Sequence, residues 1–263
     1  MKTVDPQTNE PLGFALRAWS LLAEVLATGA LRLCRFLLRL PRRRACPSNL
    51  RLLKRYLQFD HSTRRQTIAR LAIPAFGGLH PKNIFNFRSE FFLKHVQADD
   101  VVLDVGCGSG KLLEILSGSI KLGIGIDWDA PSIEKVQAKK SHTNLDFIVG
   151  NILTYDFPAL VRDRQIGIAV VSHVLEHIEH PIEFLHNLAC PVLLICVPSQ
   201  ENWLAALKKH YGLPYFTDPT HFREYTRQEL VEHLAGAGYS CDEIGFNGEG
   251  EIICRASKKP ERQ

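Results

Sequence analysis

The sequence predicts an α/β fold: a mostly parallel sheet with helices on both faces. Three observations carry this. From residue 88 onward, short apolar runs alternate with segments of helical periodicity. Several of those runs, such as "VVLDV" and "VLLICV", are apolar without interruption, as strands covered on both faces are. The first of them runs directly into a glycine-rich turn and then a helix pattern, "VVLDVGCGSGKLLEILSG" at 101–118.

Taken in order, "SEFFLKHV" is expected as a helix, "VVLDVG" as a strand and "KLLEILSG" as a helix. "KLGIGID" is a strand, "APSIEKVQAKKS" a helix, and "LDFIVGN" a strand followed by a loop that holds Asp156. "IGIAVVSH" is a strand, "IEFLHNLA" a helix and "PVLLICVP" a strand. "TRQELVEHLAGAG" is a helix whose Thr226 and Glu229 have capping-box spacing. "YSCDEIGF" and "GEIICRA" close the fold; so little chain separates them that one must run antiparallel.

The front of the chain differs. Residues 1–80 hold 14 Lys and Arg against 4 Asp and Glu, whereas residues 81–263 hold 18 against 24. Within 12–44, the charges at Arg17, Glu24, Arg32, Arg35 and Arg39 fall within about 80° of one another on a helical wheel, and the rest is mostly apolar. Such a segment packs against the body or a second copy of the chain, or lies in a membrane interface with Arg42, Arg43 and Arg44 facing anionic lipid. Leu50, Leu53 and Leu57 predict a further helix, and "PAFGGLHP" a linker. The division expected is a basic, mainly helical extension over 1–79, an α/β domain over 80–258 and a tail over 259–263.

No run of 18 uncharged apolar residues occurs and residues 1–11 are polar, so neither a spanning helix nor a signal peptide is expected. Seven cysteines without a CxxC pair fit free thiols in a reducing compartment. The expected setting is cytoplasmic, with contact at the inner membrane face if residues 12–44 lie on lipid. Basic and aromatic residues do not interleave as in a nucleic-acid module, so nucleic acid is not an expected partner.

Gly106, Gly108 and Gly110 let the backbone turn sharply and lie close to a ligand. The pattern is not G-x-x-x-x-G-K-[ST], because Val105 and Leu112 stand at two of the required positions. It is not G-x-G-x-x-G either, because the third glycine comes one residue early, which disfavours a nicotinamide oxidoreductase. The second strand ends in Asp127, followed by Trp128 and Asp129. A carboxylate there suits the two ribose hydroxyls of a nucleoside, while Asp129 suits the cap of the next helix.

"VLDVGCGSG" followed in register by "GIGID" resembles the class I, Rossmann-like S-adenosylmethionine-dependent methyltransferases. The resemblance covers about residues 80–256 and extends to "HPKNIFNFRSEFF", "SHVLEHIEHP", "LLICVPSQENW" and "DPTHFREYT", as in a bacterial subgroup of uncertain substrate. It implies S-adenosylmethionine as cofactor. Asp104, Gly106, Cys107, Gly108 and Gly110 would line the amino-acid end of the donor; Asp127, with Trp128 beside it, would hold the ribose. Asn151 and Ile152 would meet adenine, Asn151 where many relatives carry an acid. Ser172 and His173 would border the methyl group and the acceptor.

Two polar clusters remain. "SHVLEHIEHP" holds His173, His177 and His180 with Glu176 and Glu179. Its H-x-x-x-H spacing lacks the adjacent glutamate of H-E-x-x-H, so no metal is expected. "YFTDPTHFREYT" holds His221, Arg223, Glu224 and Tyr225. His221 and His173 are the candidate bases for a hydroxyl acceptor. Arg223, Glu224, Tyr225 and Glu251 are the candidate acceptor contacts. The expected function is O- or N-methylation of a small-molecule, sugar or lipid-linked acceptor; the rival is a non-catalytic protein that binds the donor.

Overall fold

The computed structural model describes Arg55 and residues 87–139, 143–216 and 218–260. Apart from Arg55, the expected extension over 1–79, with the segment 12–44, lies outside the described residues.

The chain enters through helix α1 (Phe87–Lys94) and forms β1 (Val101–Val105), buried at every position. Next come α2 (Lys111–Leu116), β2 (Leu122–Asp127), α3 (Ala130–Lys139) and β3 (Leu145–Val149). Helix α4 (Phe157–Arg164), β4 (Ile168–Ser172), a single 3-10 turn (Leu175–His177), α5 (Pro181–Leu188) and β5 (Val192–Val197) follow. Helices α6 (Trp203–His210) and α7 (Arg227–Gly236) precede β6 (Tyr239–Phe246) and β7 (Ile252–Lys258). The strands form one sheet in the order β3-β2-β1-β4-β5-β7-β6. β1 to β5 pair in parallel, and β7 runs antiparallel to both β5 and β6.

Side-chain alternation along the strands makes two cores. Leu103, Val105, Ala169, Val171, Leu193 and Ile195 face Phe157, Phe184, Leu185, Leu230 and Leu234 on one side. Val102, Val170 and Leu194 face Phe91, Phe92, Leu113, Leu116, Ile133 and Val136 on the other. The central strands β1, β2, β4 and β5 thus bury both rows of side chains, which is why they read as unbroken apolar runs. β1 has β2 on one side and β4 on the other, so the chain reverses its direction of winding there. Crevices for ligands in open parallel sheets form at the carboxyl ends of such strands.

Two helices differ from the expectation. α4 stands where a loop with Asp156 was expected: Asp156 caps it by accepting the amide of Ala159, and Pro158 sits in its first turn. α6 begins at a second cap, Asn202 accepting from the amide of Ala205. The Thr226–Glu229 capping box on α7 is present in full.

Candidate active site at the carboxyl end of the sheet

The turn after β1 is built by three glycines with positive φ. Gly108 (φ 52°) has open space where a Cβ would point, and its amide donates to Asp127 Oδ2 at 2.8 Å. The amide of Asp129 donates to Asp127 Oδ1 at 2.9 Å. The nearly buried Asp127 carboxylate is therefore aimed by two backbone amides, and each oxygen keeps acceptor capacity for a ribose hydroxyl. Asp129 stands just before α3: its carbonyl accepts the amides of Ser132 and Ile133, and its carboxylate accepts the Ser132 hydroxyl. Trp128 is 76% exposed beside Asp127, an uncovered aromatic face at the crevice.

Asp104 projects from β1 on the same side as Val102 and is almost fully buried. Burial, reinforced by the charge of Asp127, pushes its carboxyl up to about 7. Cys107 packs beneath the turn, and burial pushes its thiol far up, so it is an apolar wall and not a nucleophile. Asn151 is exposed after β3; its Oδ1 accepts the amide of Leu153 at 3.0 Å, while Ile152 packs on the core.

Beyond β4 the polar residues converge. Ser172 ends the strand, and His173 takes up the left-handed region (φ 55°), its amide donating to the carbonyl of Cys196. This unusual backbone turns the ring inward, between two carboxylates. Nδ1 lies 3.1 Å from Glu176 Oε1 and Nε2 lies 3.0 Å from Glu251 Oε1. Burial disfavours its charge, yet the two carboxylates outweigh that and raise its pKa above the ordinary histidine value. Glu251 is gripped by Arg88 Nε at 2.8 Å and Nη2 at 2.9 Å and by Asn247 Nδ2 at 2.8 Å. His173 and Arg88 together outweigh its burial and hold it well below the usual carboxylate range. His173 is thus held with a carboxylate against each ring nitrogen.

His221 comes from the loop before α7, and its side chain is only 5% exposed. Nδ1 is 3.4 Å from Glu224 Oε1, and the ring stands edge-on to His177 at 4.7 Å between centroids. The backbone joins the two segments, the amide of Phe222 donating to the carbonyl of Glu176 at 2.9 Å. Of the expected acceptor contacts, Glu224 and Glu251 reach this cluster. Arg223 instead donates to the carbonyl of Glu179 at 2.8 Å and ties the loop to the turn after β4. Tyr225 corrects the expectation: it is fully buried in the core and its hydroxyl stands 3.3 Å from His233 Nδ1, so it braces the loop from below. Arg88 carried no local signal, because its partner Glu251 is 163 residues away.

A glycine turn facing an acid at the end of the next strand, on a 3-2-1-4-5-7-6 sheet, defines a class I, Rossmann-like S-adenosylmethionine-dependent methyltransferase domain. The chain belongs to the family described as "Methyltransferase domain", whose model matches residues 62–244. It is 30% identical to a ubiquinone biosynthesis O-methyltransferase of Rhodopseudomonas palustris over 52% of this chain and 57% of that one. It is 28% identical to a small RNA 2'-O-methyltransferase of Arabidopsis thaliana over 63% of this chain and 21% of that one. The chain thus spans little more than half of one relative and about a fifth of the other. A solved S-adenosylmethionine-dependent methyltransferase from Aquifex aeolicus shares the fold, with a TM-score of 0.52, 19% identity and coverage of 67% of this chain and 92% of that one.

Proposed function

We propose that this protein transfers the methyl group of S-adenosylmethionine to a hydroxyl of a small-molecule or lipid-linked acceptor. The observation that carries the reading is the cluster of Glu176, His177, His221 and Glu224 beyond β4, on the edge of the sheet where the donor crevice lies. A methyl transfer from a sulfonium needs an aligned acceptor lone pair and a crevice free of water. An alcohol acceptor must also lose a proton, and a group of imidazoles and carboxylates suits that task, whereas a neutral amine already carries a usable lone pair. Both relatives are named as O-methyltransferases, with acceptors of different kinds, which supports oxygen as the accepting atom and leaves its carrier open.

In this reading the donor's amino-acid end lies on Gly106, Gly108 and Gly110 near Asp104. Asp127 holds the ribose, and Trp128, Asn151 and Ile152 border the adenine. Ser172 and His173 bound the methyl group. In the step itself the acceptor oxygen forms a bond to the methyl carbon, the C–S bond breaks, S-adenosylhomocysteine leaves, and the acceptor's proton passes to the cluster. The basic extension over 1–79 makes a lipid-linked acceptor the favoured carrier. The test is methyl transfer from labelled donor to extracts fractionated into lipids, small molecules and RNA. Label in a lipid or small-molecule ether is expected; label confined to RNA or to amines would overturn the reading. His221→Ala should lower kcat by about 10²–10⁴-fold and leave S-adenosylhomocysteine affinity unchanged. Full turnover in that variant would remove His221 from the reaction.

A further inference from the structure

We propose that Cys241 on β6 and Cys254 on β7 are a redox-active dithiol, a site where a hydroperoxide closes a reversible cross-strand disulfide. Both thiols are free, and their Sγ atoms stand 3.6 Å apart, in van der Waals contact. A disulfide is about 2.05 Å long, so bonding asks the two sulfurs to approach by roughly 1.5 Å. The inference is independent of the methyl-transfer reading.

The second observation is the ladder that brings them together. Cys241 lies opposite Ala256, but Glu243 lies opposite Arg255 and Ile244 opposite Cys254, so the register shifts at Asp242. Two residues of β6 there face one step of β7, and such a bulge bends its strand and sharpens the local twist. The Asp242 carboxylate accepts from the Arg255 guanidinium and the Ser257 hydroxyl, which fixes the bulge against β7. Cys241 and Cys254 are diagonal neighbours on one face of the hairpin, Cys254 in the core and Cys241 packed against it. β6 is the last strand of the sheet and pairs only with β7, so it can yield to the bond without breaking a second ladder. The bond would close the segment 242–253, which holds the turn whose Glu251 meets Arg88 and His173.

The other described cysteines are placed differently. Cys107 faces the carbonyl of Gly108, Cys190 that of Ile166, and Cys196 the carboxylate of Glu251, so each thiol has an oxygen and not a sulfur beside it. Within the pair the two members divide the work. Cys241 is half-buried and meets dissolved oxidant; Cys254 is fully buried, and burial pushes its thiol far up, so it waits for its neighbour. In the first step the Cys241 thiolate attacks one oxygen of hydrogen peroxide, the O–O bond breaks, hydroxide leaves and a sulfenic acid forms. In the second, the Cys254 sulfur attacks the Cys241 sulfur, the S–O bond breaks, and the hydroxyl leaves as water with the Cys254 proton. Two thiols and one peroxide become one disulfide and two waters. A bond across a diagonal pair departs from relaxed disulfide geometry and is open to reduction by thiols, which makes the modification reversible.

The experiment treats the reduced, folded full chain with hydrogen peroxide, then unfolds it in an alkylating agent and reads its tryptic peptides by mass spectrometry. Residues 228–255 form one tryptic peptide whose only cysteines are Cys241 and Cys254. Expected is that peptide unalkylated and lighter by two hydrogens, with its two halves still joined after cleavage at Glu243, and alkylated at both cysteines again once dithiothreitol is added. In Cys254→Ser the bond cannot form, and dimedone should trap the Cys241 sulfenic acid. Circular dichroism reports whether that core variant folds; if it does not, Cys241→Ser decides. There, peroxide should remove Cys254 from alkylation at least about tenfold more slowly than in the wild type. Several results would each overturn the proposal: both cysteines alkylated after peroxide, a bond from Cys241 to any other cysteine, a bond that forms only after unfolding in urea, or Cys254 oxidised equally fast in Cys241→Ser.

Discussion

Asp104 and Asp127 are neighbouring acids at one turn, with different work. Asp127 is held by two backbone amides, 2.8 Å from Gly108 and 2.9 Å from Asp129. Asp127→Ala should weaken S-adenosylhomocysteine binding by about 1–3 kcal/mol, read by calorimetry; unchanged affinity would remove it from the ribose. Asp104 is buried beside that charge, and its carboxyl is raised to about 7. In the unfolded chain it loses its proton near about 4. Between those values the folded protein binds more protons than the unfolded one, so this group's contribution to stability falls as pH rises through that window. Asp104→Asn should therefore stabilise the protein above pH 7, by at most about 4 kcal/mol, and flatten the decline between pH 4 and 7 in urea titrations. The same variant should bind donor more weakly at pH 8, where the wild-type carboxylate is charged and can meet the donor's ammonium. A variant with unaltered stability at both pH values would show that Asp104 is not strained by its burial.

Among the elements, the glycine turn is the least tolerant. Gly110 has φ 70°, and a Cβ there would stand 2.6 Å from the Phe147 ring. Both costs act together, so Gly110→Ala should destabilise by roughly 2–4 kcal/mol in urea unfolding. Adding Phe147→Leu should recover only the steric part, because the backbone penalty stays; full recovery would mean that the clash alone mattered. The turn and the strand that feeds it were legible because their signals are local: an unbroken apolar run, then glycines. α4 was not, although Asp156 and Pro158 mark a helix start, because an eight-residue helix that buries chiefly Phe157 has little periodicity to read. α6 is short for the same reason, and its cap at Asn202 was visible only once the neighbouring strand end was known.

At the scale of the whole molecule, the candidate donor crevice was legible as a place in the fold because it is built from two consecutive strand ends. The acceptor half was legible only as a set of residues. His173, Glu176 and His221 stood out by composition, but their grouping depends on contacts between distant segments: the Phe222 amide ties the His221 loop to Glu176, and Glu251, gripped by Arg88, meets His173. Tyr225 misled because a polar aromatic in a polar loop reads as a contact, while the fold uses it as a brace. Charge is the other feature of the whole chain. The first 80 residues carry 14 basic against 4 acidic groups, and the remainder is acidic in balance. Among the described residues no helix is long and apolar enough to cross a membrane. A segment with a narrow charged stripe, Trp19 and three consecutive arginines should then bind anionic vesicles through apolar insertion plus attraction to lipid charge. Screening at about 1 M salt shortens the reach of the second contribution to about 3 Å and leaves the first. Co-sedimentation with vesicles rich in anionic lipid should therefore exceed that with neutral vesicles, fall in part with salt, and be lost on deletion of residues 1–45. Binding that vanishes entirely in salt would reduce the contact to charge alone, and binding that survives the deletion would move it elsewhere on the protein.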